Sequence, residues 1–188
     1  MKKIGITGSI ASGKTTASKI LSKGKGPLFS ADDEVKKLYK RKKFNKIISK
    51  SFNIKETKNI KKIIKDKIQE NNLNIHKIEK IIHPLVRKEM HRFIKKNLSK
   101  KYVFLEIPLL IESKLMNLFD IIFYIKAKKS VRLKRFTSKG GNKNFFNILN
   151  KKQLSDAKKI KYSNHVIVNE KNFKILKQKL LAIFKRYE

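Results

Sequence analysis

The stretch Gly8-Ser9-Ile10-Ala11-Ser12-Gly13-Lys14-Thr15 constrains this chain more than any other. It satisfies the phosphate-binding loop pattern G-x-x-x-x-G-K-[ST] at each fixed position. Ahead of it, Lys3-Ile4-Gly5-Ile6-Thr7 reads as a short buried strand. Behind it, Thr16-Ala17-Ser18-Lys19-Ile20-Leu21 reads as the first turns of a helix. In such a junction the glycines let the backbone curl until several N–H groups converge on one hollow. The helix N-terminus adds its partial positive charge to that hollow. The pattern assigns Gly8, Ala11, Ser12, Gly13, Lys14, Thr15 and Thr16 to a polyphosphate. Lys14 is expected to bridge its two outermost phosphates, and the Thr15 hydroxyl to ligate magnesium.

The rest of the chain supplies the fold class. Pro27 to Ser30, Tyr102 to Ile107, Phe119 to Ile125 and His165 to Val168 read as further strands, and helical patterns alternate with them. The expectation is an α/β fold in three layers, with a five-stranded parallel sheet flanked by helices. Residues 41 to 99 are helical in pattern and Lys-rich. Their apolar stripes are Phe44, Ile47 and Ile48, then Ile60, Ile63, Ile64 and Ile68, then Ile75, Ile78, Ile81 and Ile82. Pro84 is expected to interrupt the last stripe before Val86, Met90, Phe93 and Ile94 resume it. Ser130 to Phe136 is a basic helix, Thr137 to Asn144 a polar flap around Gly140-Gly141, and Asn147 to Tyr162 one further helix. Ligands of such a sheet lie beyond the carboxyl ends of its strands, where Gly8, Asp32, Pro108 and the segment after Ile125 all fall.

Composition enters as a set of exclusions. No run of about 18 apolar residues exists, so no membrane span or membrane partner is expected. The first residues enter a strand at once, which leaves no room for a signal peptide, and cysteine is absent. A cytoplasmic protein, monomeric or weakly oligomeric, is the expectation. The net charge of +35 invites a nucleic-acid reading. Of the 49 basic residues, however, only Arg41, Arg87, Arg92, Arg132, Arg135 and Arg186 are arginines, and the lysines scatter over nearly every segment. With Asn and Ile also abundant, A/T-rich codon usage accounts for the excess, and no specific nucleic-acid partner is expected.

The residues beyond the loop narrow the chemistry. Asp32 follows the second strand directly, where a carboxylate can orient an acceptor hydroxyl and take its proton. Asp32 and Asp33 also suit an ordinary helix start. Glu106, at the end of a central strand, is placed to hold magnesium through water. A guanosine-specific N-K-x-D signature is missing, since Asn142-Lys143-Asn144 lacks the Asp. The basic helix with its Gly-containing flap suits a lid that brings cations to a transferring phosphoryl group and shuts out water. His76, His91 and His165 show no metal-ligand spacing.

At this point the chain resembles the dephospho-coenzyme A kinases over nearly its whole length. Thr7 to Thr16 is similar to that family's T-G-x-I-x-S-G-K-[ST]-T, and Ser30-Ala31-Asp32 stands where the family has D-A-D. Ile82-His83-Pro84-Leu85-Val86-Arg87 resembles its H-P-x-[IV] segment, and Ile107-Pro108-Leu109-Leu110-Ile111-Glu112 its [VI]-P-L-L-F-E. Gln153 and Ser163 to Asn169 resemble its Q and its A-D-[YF]-V-I-x-N. The resemblance implies ATP-dependent phosphorylation of the 3′-hydroxyl of dephospho-coenzyme A, with Mg²⁺ as cofactor. It implies Lys14, Asp32 and Arg135 as catalytic residues, with Asp32 as the base. Asp32, His83, Arg87, Pro108 and Leu109 fall to the acceptor, and Thr15 and Glu106 to the metal. It also implies a single P-loop kinase domain, with a core at 1–31, 96–126 and 161–188, a helical substrate-binding subdomain at 32–95 and a lid at 127–160.

Departures from the family pattern concentrate in the lid. Ser30 replaces the first Asp of D-A-D, while the presumed base stays. Arg135 matches the first lid arginine, but Lys139 stands at the second position and Leu149 or Asn150 at the third. A lysine is a point charge and does not clamp two phosphate oxygens as arginine does, so Lys143 or Lys151 is expected to substitute. Arg132 reads as a solvated helix residue. Two alternatives stay open: a related P-loop kinase acting on a nucleoside monophosphate or other small alcohol, and a nucleic-acid-binding P-loop protein.

Overall fold

One parallel sheet carries the fold, with strands in the order β2-β3-β1-β4-β5. They are β1 (Lys2–Gly8), β2 (Leu28–Ser30), β3 (Tyr102–Glu106), β4 (Ile121–Lys126) and β5 (His165–Val168). The computed structural model describes residues 1–55, 57, 59–71 and 73–188. The three central strands are the three longest and are buried over nearly their whole length, as a strand covered on both faces requires. Ile4 pairs with Phe104 on one side and Ile121 on the other, and Ile6 with Glu106 and Phe123. The even-numbered side of β1 packs with Ala17 and Leu21 of α1 (Lys14–Ser22) and with Leu176, Leu180 and Phe184 of α9 (Phe173–Phe184). On the other side Gly5 has no room for a side chain. A Cβ there would sit 2.9 Å from Leu110 and 3.0 Å from the Phe119 ring.

The chain divides into two compact units, Met1–Ser30 with Ile94–Glu188, and Ala31–Phe93. The first unit holds the sheet, α1, α9 and the three helices of segment 127–160. Those are α6 (Lys129–Thr137), α7 (Lys143–Lys152) and α8 (Asp156–Lys161). The single helix expected over 147–162 is therefore two. Gln153 is extended, and the Ser155 hydroxyl caps α8 by accepting from the Lys158 amide at 3.4 Å. Between α6 and α7, Gly140 takes φ 80°, and Gly141 packs so closely on Phe136 that a Cβ would lie 2.2 Å from the ring.

The second unit is helical: α2 (Ala31–Leu38), α3 (Lys42–Phe52), α4 (Ile60–Glu70) and most of α5 (Asn74–Lys96). Each helix buries one stripe at helical spacing. In α3 the stripe is Phe44, Ile48 and Phe52. Ile47, counted with it on sequence, is 40% exposed. Helix α5 runs through Pro84 rather than stopping there. Proline removes the bond to the carbonyl four residues back, but Ile75 and Ile78 before it and Val86 and Met90 after it are all buried. That packing holds both halves in one helix. No helix among the described residues is long and apolar enough to cross a membrane.

Candidate active site

The connection from β1 to β2 leads to one side of the sheet, and β4 lies on the other. The carboxyl end of β1 is therefore a topological switch point, and the loop stands there. Its shape needs both glycines. A Cβ on Gly8 would lie 2.4 Å from the Ile125 carbonyl oxygen. Gly13, at φ 100°, would place one 2.2 Å from Asn169 Nδ2. Ala11 lies between them at φ 57°, a left-handed conformation strained for an L side chain. Lys14 opens α1, is buried, and donates from Nζ to the Ser9 carbonyl at 3.1 Å. Ser12 is wholly buried, and its hydroxyl has no hydrogen-bond partner among the described residues. Thr15 and Thr16 are exposed.

Glu106 closes β3 and is 1% exposed. Its carboxylate accepts from the Thr15 hydroxyl at 2.6 Å and from the Ser18 hydroxyl at 3.3 Å. Ile6 and Glu106 are in register, which explains why this side chain faces α1. Thr15 and Glu106 thus make the adjacent hydroxyl and carboxylate oxygens that suit magnesium. Among the described residues no group of three or more His, Cys, Asp or Glu could hold a metal. A magnesium ion here would draw on phosphate oxygens for further ligands.

Of the two arginines of α6, Arg132 departs from the role read from the sequence. Arg132, expected to be solvated, is 6% exposed. It donates to the Ala127 carbonyl at 3.1 Å, to Asn150 Oδ1 at 2.7 Å and to the Ile10 carbonyl at 3.4 Å. Arg132 is enclosed because α7, the loop and the Ala127 carbonyl ahead of α6 each supply one acceptor around it. Arg135 is half-buried and donates to the Asn169 carbonyl at 3.0 Å and the Ser12 carbonyl at 3.4 Å. Asn150, one of the two residues at the third lid position, is taken up by Arg132, whereas Lys139, Lys143 and Lys151 are exposed.

Several side chains that brace the loop were missed or quoted only within a pattern. Asn169 donates to the Ser12 carbonyl at 2.8 Å, and Gln153 accepts from the Ile10 amide at 2.8 Å. Ser9, Tyr124 and Asp156 form a closed hydrogen-bonded set. A tyrosine inside the apolar run Ile121 to Ile125 was the available signal, since a buried phenol demands a partner.

Pro108 touches the sheet through its carbonyl, which accepts from the Thr7 hydroxyl at 3.2 Å. Leu109 accepts from the Ser113 amide at 2.9 Å, which folds the segment back on itself. Glu112 accepts from the Leu154 amide at 3.1 Å and pairs at 2.7 Å with Lys159, which is 0% exposed. The Lys159–Glu112 approach is an ion pair whose angle falls outside hydrogen-bond geometry. In the second unit, Asp32 is exposed in the first turn of α2. Its neighbours Asp33 and Glu34 pair with Lys36 and Lys37, each at 2.6 Å. Asp32 makes no ion pair with a described residue. His83 and Arg87 lie one turn apart on α5 and, with His76, Glu79, Lys80 and Pro84, line a cavity of about 350 Å³.

A parallel sheet with a phosphate-binding loop at its switch point, a hydroxyl and carboxylate beside the loop lysine, and basic helices bolted to the loop define a P-loop kinase. A family model described as dephospho-CoA kinase matches residues 2–174. The dephospho-CoA kinase of Bartonella quintana is 34% identical over 188 residues, covering 97% of this chain and 96% of the relative. Among solved structures, the Thermus thermophilus protein TT1252 superposes with a TM-score of 0.77 at 23% identity, over 100% of this chain and 98% of the other. The dephospho-CoA kinase from Campylobacter jejuni gives a TM-score of 0.64 at 23% identity, over 98% and 96% of the two chains. The chain belongs to the dephospho-CoA kinase family.

Proposed function

We infer that this chain transfers the γ-phosphoryl group of ATP to the 3′-hydroxyl of dephospho-coenzyme A, giving coenzyme A and ADP, and that its own residues divide the work. The observation that carries this reading is the loop at the switch point, in a chain whose family match spans residues 2–174. Lys14 and the amides from Ala11 to Thr16, with Gly8 and Gly13 shaping the turn, hold the triphosphate. From its place on the Ser9 carbonyl, Lys14 Nζ would meet phosphate oxygens. Thr15 and Glu106 would hold Mg²⁺, which when bound neutralises charge on the β- and γ-phosphates. Asp32 orients the acceptor hydroxyl and takes its proton. The exposed position of its carboxylate, beside two acids already paired with lysines, supports that role. Arg135, with the exposed lid lysines, stabilises charge on the transferring group. Pro108 and Leu109, and His83 and Arg87 of α5, receive the acceptor. On the same reading the protein works in the cytoplasm.

A coupled assay of ADP release across acceptors tests this. Turnover should be fastest with dephospho-coenzyme A and much slower with nucleoside monophosphates, shikimate or water. No turnover with dephospho-coenzyme A, against robust turnover with another alcohol, overturns the assignment.

A further inference from the structure

Ser9, Tyr124 and Asp156 are given no part in the reading above, yet they meet the loop at its most constrained point. One oxygen of Asp156, Oδ1, accepts from the Tyr124 hydroxyl at 2.6 Å and from the Ser9 hydroxyl at 3.0 Å. The two hydroxyls are themselves 3.1 Å apart. Tyr124 is wholly buried. Burial, with the Asp156 hydrogen bond second, pushes its phenol well above its ordinary range, so the hydroxyl keeps its proton and donates.

The other end of Ser9 is its carbonyl, which accepts from Lys14 Nζ at 3.1 Å. One residue therefore links a carboxylate in the first turn of α8 to the ammonium that must meet the triphosphate. Ile10, the next residue, is held at both of its backbone polar groups: its amide by Gln153 at 2.8 Å, its carbonyl by Arg132 at 3.4 Å. The loop needs outside support. Ala11 follows immediately in a left-handed conformation, and the glycines on either side add freedom rather than stiffness. Local preference does not choose this shape; side chains of segment 127–160, together with Tyr124 and Asn169, hold it.

We propose that Asp156 is a positioning residue for phosphoryl transfer: acting through the Ser9 hydroxyl, it holds the loop hollow and the Lys14 ammonium in the arrangement that receives ATP. This rests on the loop being the ATP site. Removing the carboxylate frees Ser9 to turn, and the Lys14 ammonium moves with the carbonyl it rests on. The loss falls on nucleotide binding first, because the acceptor and its base are untouched by the change.

The test uses the full chain with Asp156→Ala, Asp156→Asn, Ser9→Ala and the Ser9→Ala/Asp156→Ala double variant. Two readouts are taken: the ATP dependence of turnover at saturating dephospho-coenzyme A, and the Kd of a fluorescent N-methylanthraniloyl ADP without acceptor. Asp156→Ala should raise both KM for ATP and the Kd by about tenfold or more, the scale of one hydrogen bond to a charged group. Its kcat should fall by less than the rise in KM. Asp156→Asn keeps a carbonyl acceptor and should recover most of the affinity. Ser9→Ala should match Asp156→Ala, with the double variant no worse than either. A purely structural Asp156 would lower the active fraction and hence kcat, leaving KM and Kd of the folded remainder unmoved. That result, or additive losses in the double variant, overturns the proposal. If Asp156→Ala does not fold, Ser9→Ala decides alone, since it leaves the Asp156–Tyr124 bond in place, and an unchanged Kd there overturns it. The nucleotide titration needs no acceptor, so a wrong acceptor assignment shows instead as wild-type nucleotide binding without turnover.

Discussion

Replacing Glu106 by Gln separates a scaffold role from a metal role, because the two predict opposite results. The Glu106 side chain is 1% exposed, and its hydrogen-bond partners are the Thr15 and Ser18 hydroxyls. Burying such a charge costs several kcal/mol. Two hydrogen bonds to a charged acceptor return roughly 1.5–3 kcal/mol each, so the native arrangement sits close to balance. The glutamine amide keeps the geometry. Its oxygen accepts from Thr15, and its nitrogen donates to Ser18 Oγ, whose single proton then goes to the Thr15 carbonyl at 3.0 Å instead of to the carboxylate. Stability should therefore change by no more than about 1 kcal/mol, a shift of roughly 2–4 °C in Tm for a chain of this size. Function should not survive so well. A carboxylate that orients a metal or its waters is worth about 10–100-fold in metal affinity or activity. Turnover titrated against Mg²⁺ should show its half-saturation point raised by that factor, with thermal unfolding followed on the same preparation. Wild-type magnesium dependence would refute the metal role. A Tm lowered by more than about 8 °C would show that the charge is needed for folding and that the balance worked above is wrong.

Other expectations are more direct. Asp32→Asn should lower kcat by a factor of about 100 or more with KM for ATP little changed, whereas Asp33→Asn, which loses an exposed pair with Lys36, should stay near wild type. Lys159→Met should destabilise the fold by about 3 kcal/mol in urea unfolding, because it strands Glu112. Pairing it with Glu112→Gln should recover most of that loss. His165 packs its Nε2 against the Tyr187 hydroxyl, and burial, then the Arg186 charge, holds its pKa below the ordinary histidine value. A depressed base takes up its proton more readily when unfolded. Its contribution is therefore complete above about pH 6.5 and is lost as pH falls through the folded value. Tm should drop more for the wild type than for His165→Gln between about pH 7 and pH 5; equal drops would remove His165 from the acid response.

How far the sequence was legible follows from the range over which each determinant acts. The loop was readable because its determinants are adjacent: two glycines, a lysine and a threonine within eight residues, with a strand before and a helix after. Strands β3 and β4 were readable because burial on both faces leaves a continuous apolar run. Pro84 misled because a local rule, that proline ends helices, competes with burial on both sides of it, and burial won. Ile47 misled because two adjacent isoleucines each fit a helical stripe, and only the packing partner of α3 decides which is covered.

The bracing of the loop was not legible, and for a physical reason. Ser9 meets Asp156 across 147 positions, Arg132 meets Ile10 across 122, and Asn169 meets Ser12 across 157. None of these pairs has a spacing rule, and each member taken alone has an ordinary surface role. In α6, which is basic along its length, nothing in the residue order says that Arg132 rather than Arg135 is enclosed. That depends on Asn150 and on the Ile10 and Ala127 carbonyls arriving around it. The consequence for the site is specific. A loop containing Ala11 in a left-handed conformation does not hold itself, so the residues that name the phosphate site are only part of those that shape it. Segment 127–160, read from sequence as a lid that brings cations, also meets the loop directly: Arg132 and Gln153 bond to the Ile10 backbone and Asp156 to the Ser9 hydroxyl.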